Sequence, residues 1–260
     1  MDRLKGQVVI VTGATMGIGR EIAFGLAREG ATPVLGGRSE KEGAAAANAI
    51  KAETGIEALY VGGDITDEGY CRELSDRAVA RFGKLTGLVN NAGIYPPVDF
   101  FECDGNLFDK VYAVNVRGAY LCSKYAAAAM GDVGGSIVHI GSTHAFGAAS
   151  DYSVYGTSKG ALYSFSAYLA RNLARRNIRS NCITVGWVAT ESELERIAKA
   201  GHDLAWLEET GRRDIPLGRL QTGRDITMGA VYLLSDEAAM VTESDIKITG
   251  GYVPGYGKKA

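Results

Sequence analysis

Short, mostly apolar runs recur along the chain at Val8 to Val11, Thr32 to Gly36, Ala58 to Val61, Leu85 to Val89, Ser136 to Ile140 and Arg179 to Thr184. A longer stretch with apolar residues at helical spacing follows each of them. Runs of this length with little polar alternation suit strands buried on both faces, and the intervening helices supply the crossovers that parallel strands need. The pattern predicts an α/β fold: a doubly wound parallel sheet of Rossmann type in a three-layer αβα sandwich, closed by a last strand at Asp245 to Ile248. The first predicted helix follows Gly17. The second starts after Ser39, with Glu42 three residues on as a capping box, and Asp67 caps the third. Asn106 to Met130 and Val154 to Arg176 read as the two longest helices, with Ala- and Tyr-rich faces suited to a second subunit as well as to the sheet.

After Thr190 the pattern changes to the charged segment ESELERIAKAGHDLAWLEETGRRD before IPLGRL resumes the core. This predicts a lid of one or two helices at about 190–215, because ligands of open α/β sheets sit at the carboxyl ends of the strands. The tail GGYVPGYGKKA is expected at the surface or across an interface. Nothing in the 260 residues requires a second domain, so residues 1–260 read as one.

The 28 basic and 30 acidic residues nearly cancel and form no basic stripe, which argues against nucleic acid or an anionic membrane as partner. No apolar stretch approaches the ~20 residues that span a bilayer. A soluble, cytoplasmic protein is expected. Cys71, Cys103, Cys122 and Cys182 lack a CxxC pattern, and His139, His144 and His202 lack HxxxH or HExxH spacing. Free thiols and no metal are therefore expected.

Two motifs carry chemistry. TGATMGIG at Thr12 to Gly19 lies between a strand and an amphipathic helix, where backbone amides at the helix start can hold a pyrophosphate. Tyr155 and Lys159 in YGTSK are four residues apart on one helical face, so an ammonium can stand beside a phenol and stabilise its phenolate. The glycine spacing, Asp64 after the third strand, NNAG at Asn90 to Gly93, Asn115, Ser142 and YGTSK occur in the order found in short-chain dehydrogenases/reductases. The chain resembles that family over almost its whole length.

That resemblance implies an NAD(P)-dependent oxidoreductase acting on a secondary alcohol or carbonyl. Tyr155 would be the catalytic acid/base. Lys159 would lower its pKa and bind the nicotinamide ribose, Ser142 would bond the substrate oxygen, and Asn115 would hold a water linking Lys159 to solvent. Gly13, Thr15, Gly17, Ile18, Gly19, Asp64, Ile65, Asn91, Ala92, Gly93, Val188 and Thr190 would line the cofactor. The resemblance also implies a homo-oligomer, a tetramer or dimer. Three positions depart from the family pattern: Val185 where Pro-Gly is usual, Glu243 for a common glycine, and Thr249 for a common aspartate. Val185 is expected to leave a looser turn with an extra N–H.

At the end of the second strand, where an acidic residue would bind the 2′-hydroxyl of NAD, the chain has Gly37, Arg38 and Ser39. Space, a guanidinium and a hydroxyl favour NADP(H) over NAD(H), the other reading being that Arg38 only stacks on adenine. Substrate contacts by family position are Tyr95, Thr143, His144, Tyr152, Trp187, Glu191 and Glu193, with Trp206 from the lid. Such a polar set suits a sugar or polyol. A 3-oxoacyl thioester reductase and a non-catalytic nucleotide-binding regulator are the alternatives.

Overall fold

The computed structural model describes residues 2–147 and 150–254. Seven strands, β1 (Val8–Thr12), β2 (Thr32–Gly37), β3 (Leu59–Gly62), β4 (Gly87–Asn90), β5 (Gly135–Ile140), β6 (Ile178–Val185) and β7 (Asp245–Ile248), form one sheet in the order β3-β2-β1-β4-β5-β6-β7. Every pairing is parallel. The chain order reverses between β1 and β4, so the connections leaving these strands pass to opposite faces and open a crevice at their carboxyl ends.

The helices are α1 (Gly17–Arg28), α2 (Glu40–Thr54), α3 (Glu68–Phe82), α4 (Gly105–Tyr112), α5 (Ala119–Met130), α6 (Ser153–Leu173), α7 (Glu191–Lys199), α8 (Leu204–Asp214) and α9 (Gly223–Leu234). Alternate residues of β1 serve the two faces of the sheet, as the period of two requires. Val9 and Val11 join Ile22 and Leu26 of α1, Ile50 of α2 and Ile226 of α9 in one core. Val8 and Ile10 join Leu74 of α3 and Ala126 and Met130 of α5 in the other. A third, small cluster of Ile197, Leu207, Ile215 and Leu220 holds α7 and α8 together, with Trp187 against it.

Three expectations about local structure are corrected. Ser39 occupies the N-cap of α2, but its hydroxyl caps no amide; a reciprocal capping box forms instead at α9 between Thr222 and Asp225. Asp67 does cap α3, its carboxylate accepting from the Gly69 N–H at 2.7 Å. The stretch read as one helix from Asn106 to Met130 is broken by a π-helical turn at Ala113–Gly118, where a wider turn sets Asn115 into the crevice. The looser turn expected at Val185 is absent. Val185 is buried at the end of β6 in register with Ile248, and the Gly186 N–H donates to Gln221 Oε1 at 2.9 Å. Among the described residues no helix is long and apolar enough to cross a membrane. The last part of the tail, residues 255–260, lies outside the described residues.

Candidate active site

From the end of β1 the chain turns through Gly13–Met16 into α1. Gly13 and Gly17 take φ of +64° and +55°, a conformation that strains any residue with a Cβ. Asn91, just beyond β4, ties this turn down. Its Nδ2 donates to the carbonyls of Thr12 (2.9 Å) and Gly13 (3.2 Å), while the Asn91 and Ala92 N–H groups donate to Thr12 Oγ1 at 3.0 and 3.1 Å. A Cβ on Gly19 would collide with the Gly13 carbonyl and the Asn91 amide. Gly13 and Gly19 therefore face Asn91 and Ala92 across one braced cradle at the switch point, with Thr15, Gly17 and Ile18 in the same turn and Gly93 following Ala92.

Gly37 ends β2 beside this cradle. Its N–H donates to Tyr70 Oη (3.1 Å), and its carbonyl accepts from Tyr60 Oη and from the Gly63 N–H, both at 2.9 Å. A Cβ at position 37 would stand 2.6 Å from Thr15 Cγ2, so any side chain there requires the Thr15 side chain to shift. The exposed Arg38 follows, then Ser39 at the start of α2. Asp64 accepts from the Thr66 N–H and hydroxyl at 2.9 and 2.8 Å; these bonds, the N–H foremost, and the charge of Arg38 hold its carboxyl below the usual range. Ile65 lies against the backbone of Gly118, where a Cβ would come within 2.8 Å of Ile65 Cγ1.

The Tyr155–Lys159 face of α6 packs at the carboxyl ends of β4 and β5. Lys159 is 4% exposed and its Nζ donates to the Ile140 carbonyl at 2.8 Å, 5.8 Å from the Tyr155 ring centre. Burial lowers the Lys159 pKa to about 8. Tyr155 keeps partial solvent access, yet its enclosure by protein raises the phenol to about 12, against which a hydrogen bond with the Ser142 hydroxyl acts. The Lys159 ammonium is directed at the Ile140 carbonyl, and burial is the largest influence on the phenol. Ser142 follows β5, is buried, and also accepts from the His144 N–H at 3.2 Å.

Asn115 is 1% exposed. Its Nδ2 donates to the Ile94 carbonyl and Ser158 Oγ, both at 2.9 Å, and its Oδ1 accepts from the Ile94 N–H at 2.8 Å. Both amide hydrogens are thus committed to holding the loop after β4 against α6. The absent Cβ of Gly93 leaves a gap 3.3 Å from Asn115 Oδ1 and 3.5 Å from Lys159 Nζ.

Around Tyr155 stand Tyr95, His144 and Tyr152, with ring centres at 6.0, 5.6 and 6.2 Å, and His144 and Tyr152 are 4.8 Å apart. Thr143 Oγ1 and His144 Nδ1 are buried with no hydrogen-bond partner among the described residues, and burial lowers the His144 pKa. Glu193, expected at the substrate, is buried and already engaged: it accepts from Trp187 Nε1 at 2.7 Å and from Arg196 Nε and Nη2 at 2.8 and 2.7 Å. It anchors the Trp187 ring. Glu191 lies instead at the start of α1, and Trp206 stacks on His202 at 3.9 Å. Thr190 caps α7, accepting from the Glu193 N–H at 3.2 Å, and Val188 is buried beside Gln221 in a short parallel bridge. Sequence reading missed Ser192, which shares a 3.0 Å hydrogen bond with Tyr95 Oη; Arg196, whose i, i+3 spacing from Glu193 was a usable signal; and Tyr252, whose ring lies 5.9 Å from Trp187.

A family model described as enoyl-(acyl carrier protein) reductase matches residues 13–253, from the glycine turn to beyond β7. The chain belongs to the short-chain dehydrogenase/reductase family. Among curated relatives, an uncharacterised oxidoreductase of Methylorubrum extorquens is 36% identical over 252 residues, covering 96% of this chain and 99% of the relative. The L-fucose dehydrogenase of Rattus norvegicus is 33% identical over 261 residues, covering 100% and 94%. Among solved structures, L-sorbose reductase of Gluconobacter frateurii, complexed with NADPH and L-sorbose, superposes with a TM-score of 0.92 at 27% identity, covering 97% and 99%.

As a short-chain dehydrogenase/reductase, the protein is an NAD(P)-dependent oxidoreductase. The cradle fits a dinucleotide on its own terms. Two glycines in positive φ bare the backbone at the start of α1, Gly37 leaves the rim of the turn free of a side chain, and Gly93 opens space beside Lys159 and Asn115.

Proposed function

We propose that the protein is an NADP(H)-preferring oxidoreductase for a secondary alcohol or carbonyl of a sugar or polyol, working as a cytoplasmic homo-oligomer. The observation that carries the substrate class is the buried pair Thr143 Oγ1 and His144 Nδ1, without partners among the described residues, adjoining Ser142 and Tyr155. Buried polar atoms without partners favour ligands that satisfy them, so a hydroxyl-bearing compound gains what a plain ketone or acyl chain leaves unpaired. The sugar substrates of two similar proteins support the same reading.

A bound nicotinamide supplies or accepts the hydride. Gly13, Thr15, Gly17, Ile18, Gly19, Asp64, Ile65, Asn91, Ala92, Gly93, Val188 and Thr190 would hold the dinucleotide, with Arg38 and Ser39 on the 2′-phosphate of NADP and Lys159 on the nicotinamide ribose. Ser142 positions the substrate oxygen and donates to it as charge develops. Tyr155 gives that oxygen a proton in reduction and removes one in oxidation. A phenol at about 12 is a reluctant acid, and Lys159 at about 8 is the neighbouring group that can exchange a proton with it near neutral pH. Asn115 braces the Ile94 loop against α6 and so fixes the distance between Tyr95 and Tyr155. The helices bearing Asn115 and Tyr155 also offer Tyr120 and Tyr168, both more than half exposed, as an oligomer face.

Initial rates on sugars, polyols, simple ketones and acyl thioesters, each with NADP(H) and NAD(H), test this reading. Turnover of a polyhydroxylated substrate with NADP(H), together with a loss of NADPH affinity of at least ten-fold in Arg38→Glu, is the expected result. Preferred turnover of an acyl thioester, or an unchanged NADPH KM in Arg38→Glu, overturns the substrate or the cofactor half respectively.

A further inference from the structure

The first turn of α7 lies across the dinucleotide cradle. Glu191 Oε2 accepts from the Gly17 N–H at 3.2 Å, and its other oxygen pairs with Arg20 in the first turn of α1. The Thr190 side chain comes within 3.8 Å of where a Gly17 Cβ would be. The next residue, Ser192, reaches the other side of the crevice, its Oγ 3.0 Å from Tyr95 Oη and 3.2 Å from Thr190 Oγ1. Three consecutive residues therefore join the lid to the amides of α1 and to the aromatic wall beside Tyr155.

An N–H at the start of α1, at the positive end of the helix dipole, is the kind of donor a pyrophosphate needs. Glu191 already places a carboxylate on it. A carboxylate and a pyrophosphate cannot share this site without close like-charge contact, which at partly exposed positions is worth roughly a factor of five in affinity. Arg20 holds the carboxylate in place and so raises its effectiveness as an internal competitor.

We propose that Glu191 sets the dinucleotide affinity by competing for the α1 N-terminus, and that its displacement moves the first turn of α7 so that arrival of the cofactor is reported to the substrate pocket. This rests on the dinucleotide reading of the cradle. The pyrophosphate draws the carboxylate off Gly17, and because Glu191, Ser192 and Glu193 are consecutive on one helix, the shift is passed to Tyr95 and, through Glu193, to Trp187 and Arg196. Since the pyrophosphate is common to both cofactors, Glu191 acts equally on NADP and NAD, whereas Arg38 separates them.

Calorimetric titration of wild-type protein, Glu191→Gln and Glu191→Ala with NADPH, NADH, ADP-ribose and 2′-AMP tests this. Both variants are expected to bind NADPH, NADH and ADP-ribose roughly five-fold more tightly, with 2′-AMP, which lacks a pyrophosphate, unchanged. Hydrogen exchange over residues 190–199 of the wild type is expected to rise on addition of ADP-ribose. Equal or weaker dinucleotide binding in both variants, or an equal gain with 2′-AMP, overturns the competition; exchange unaltered by ADP-ribose overturns the coupling. Failure of the wild type to bind any dinucleotide would instead remove the cofactor reading itself.

Discussion

Lys159 is a buried ammonium, and its replacement by methionine separates what it does for chemistry from what it does to the fold. Its pKa falls from an ordinary 10.5 to about 8, so at pH 6 the protonated side chain opposes folding by about 3 kcal/mol. Between pH 8 and 10.5 the unfolded chain keeps a proton that the folded chain has released, and stability therefore rises with pH across that window. Below pH 8 the penalty is present in full. Methionine removes the penalty and fills a similar volume, but it leaves the Ile140 carbonyl without the 2.8 Å bond from Nζ, a loss of about 1–2 kcal/mol. Lys159→Met should thus be inactive yet more stable than wild type by about 1–2 kcal/mol at pH 6, with the advantage shrinking by about 2 kcal/mol by pH 9.5. Urea melts of both proteins at pH 6, 7.5, 8.5 and 9.5, at one fixed chain concentration, read this directly. A stability difference that stays flat across the series would refute the reasoning.

Two further outcomes concern positions remote from the chemistry. Glu243 holds a φ of +58°, and its carboxylate pairs with the exposed Arg171. Glu243→Gly relieves the backbone and gives up only a solvent-screened pair, so Tm should rise by roughly 2 °C in a thermal melt. Asp225 closes the capping box of α9, accepting from the Thr222 N–H and hydroxyl and from Arg219 Nη2 at 2.8, 2.9 and 2.8 Å. The Arg219 guanidinium, with the Thr222 donors, holds its carboxyl far below the ordinary 3.8, so its contribution is present above that pH and is lost as the pH falls further. Asp225→Ala should cost about 1–2 kcal/mol at pH 7, with the gap to wild type narrowing in melts near pH 3.

The sheet was legible because its strands are buried on both faces and so read as apolar runs; six of the seven are displaced by no more than a residue or two from their predicted ends, and Asp245–Ile248 by none. Tyr155, Lys159, Ser142 and Asn115 come together at the carboxyl ends of the strands, a juxtaposition that the i, i+4 spacing of Tyr155 and Lys159 on one helix face made legible in part. The π-helical turn at Ala113–Gly118 was not, since AVNVRG contains no strong breaker and the wider turn follows from Asn115 bonding Ile94 and Ser158 across the crevice. Ser39 shows the reverse error: the right residues for a capping box stand at the right spacing, but the hydroxyl makes no bond to the helix. After Thr190, charge alone did not say where each carboxylate points. Glu193 is spent on Trp187 and Arg196, and Glu191 on Gly17 and Arg20, pairings that depend on how α7 lies over the sheet.

The contact between Thr15 and Gly37 constrains the mutational history open to this enzyme. A side chain at position 37 would begin 2.6 Å from Thr15 Cγ2, so placing an acidic residue at the tip of β2 requires the Thr15 methyl to move aside before the new charge can act. Thr15→Ser deletes that methyl, keeps the hydroxyl and so removes the obstruction in advance. The two positions are therefore coupled, and the cost of filling position 37 depends on the residue at 15. One methyl group that need never touch the ligand thus bears on which side chains the tip of β2 accepts.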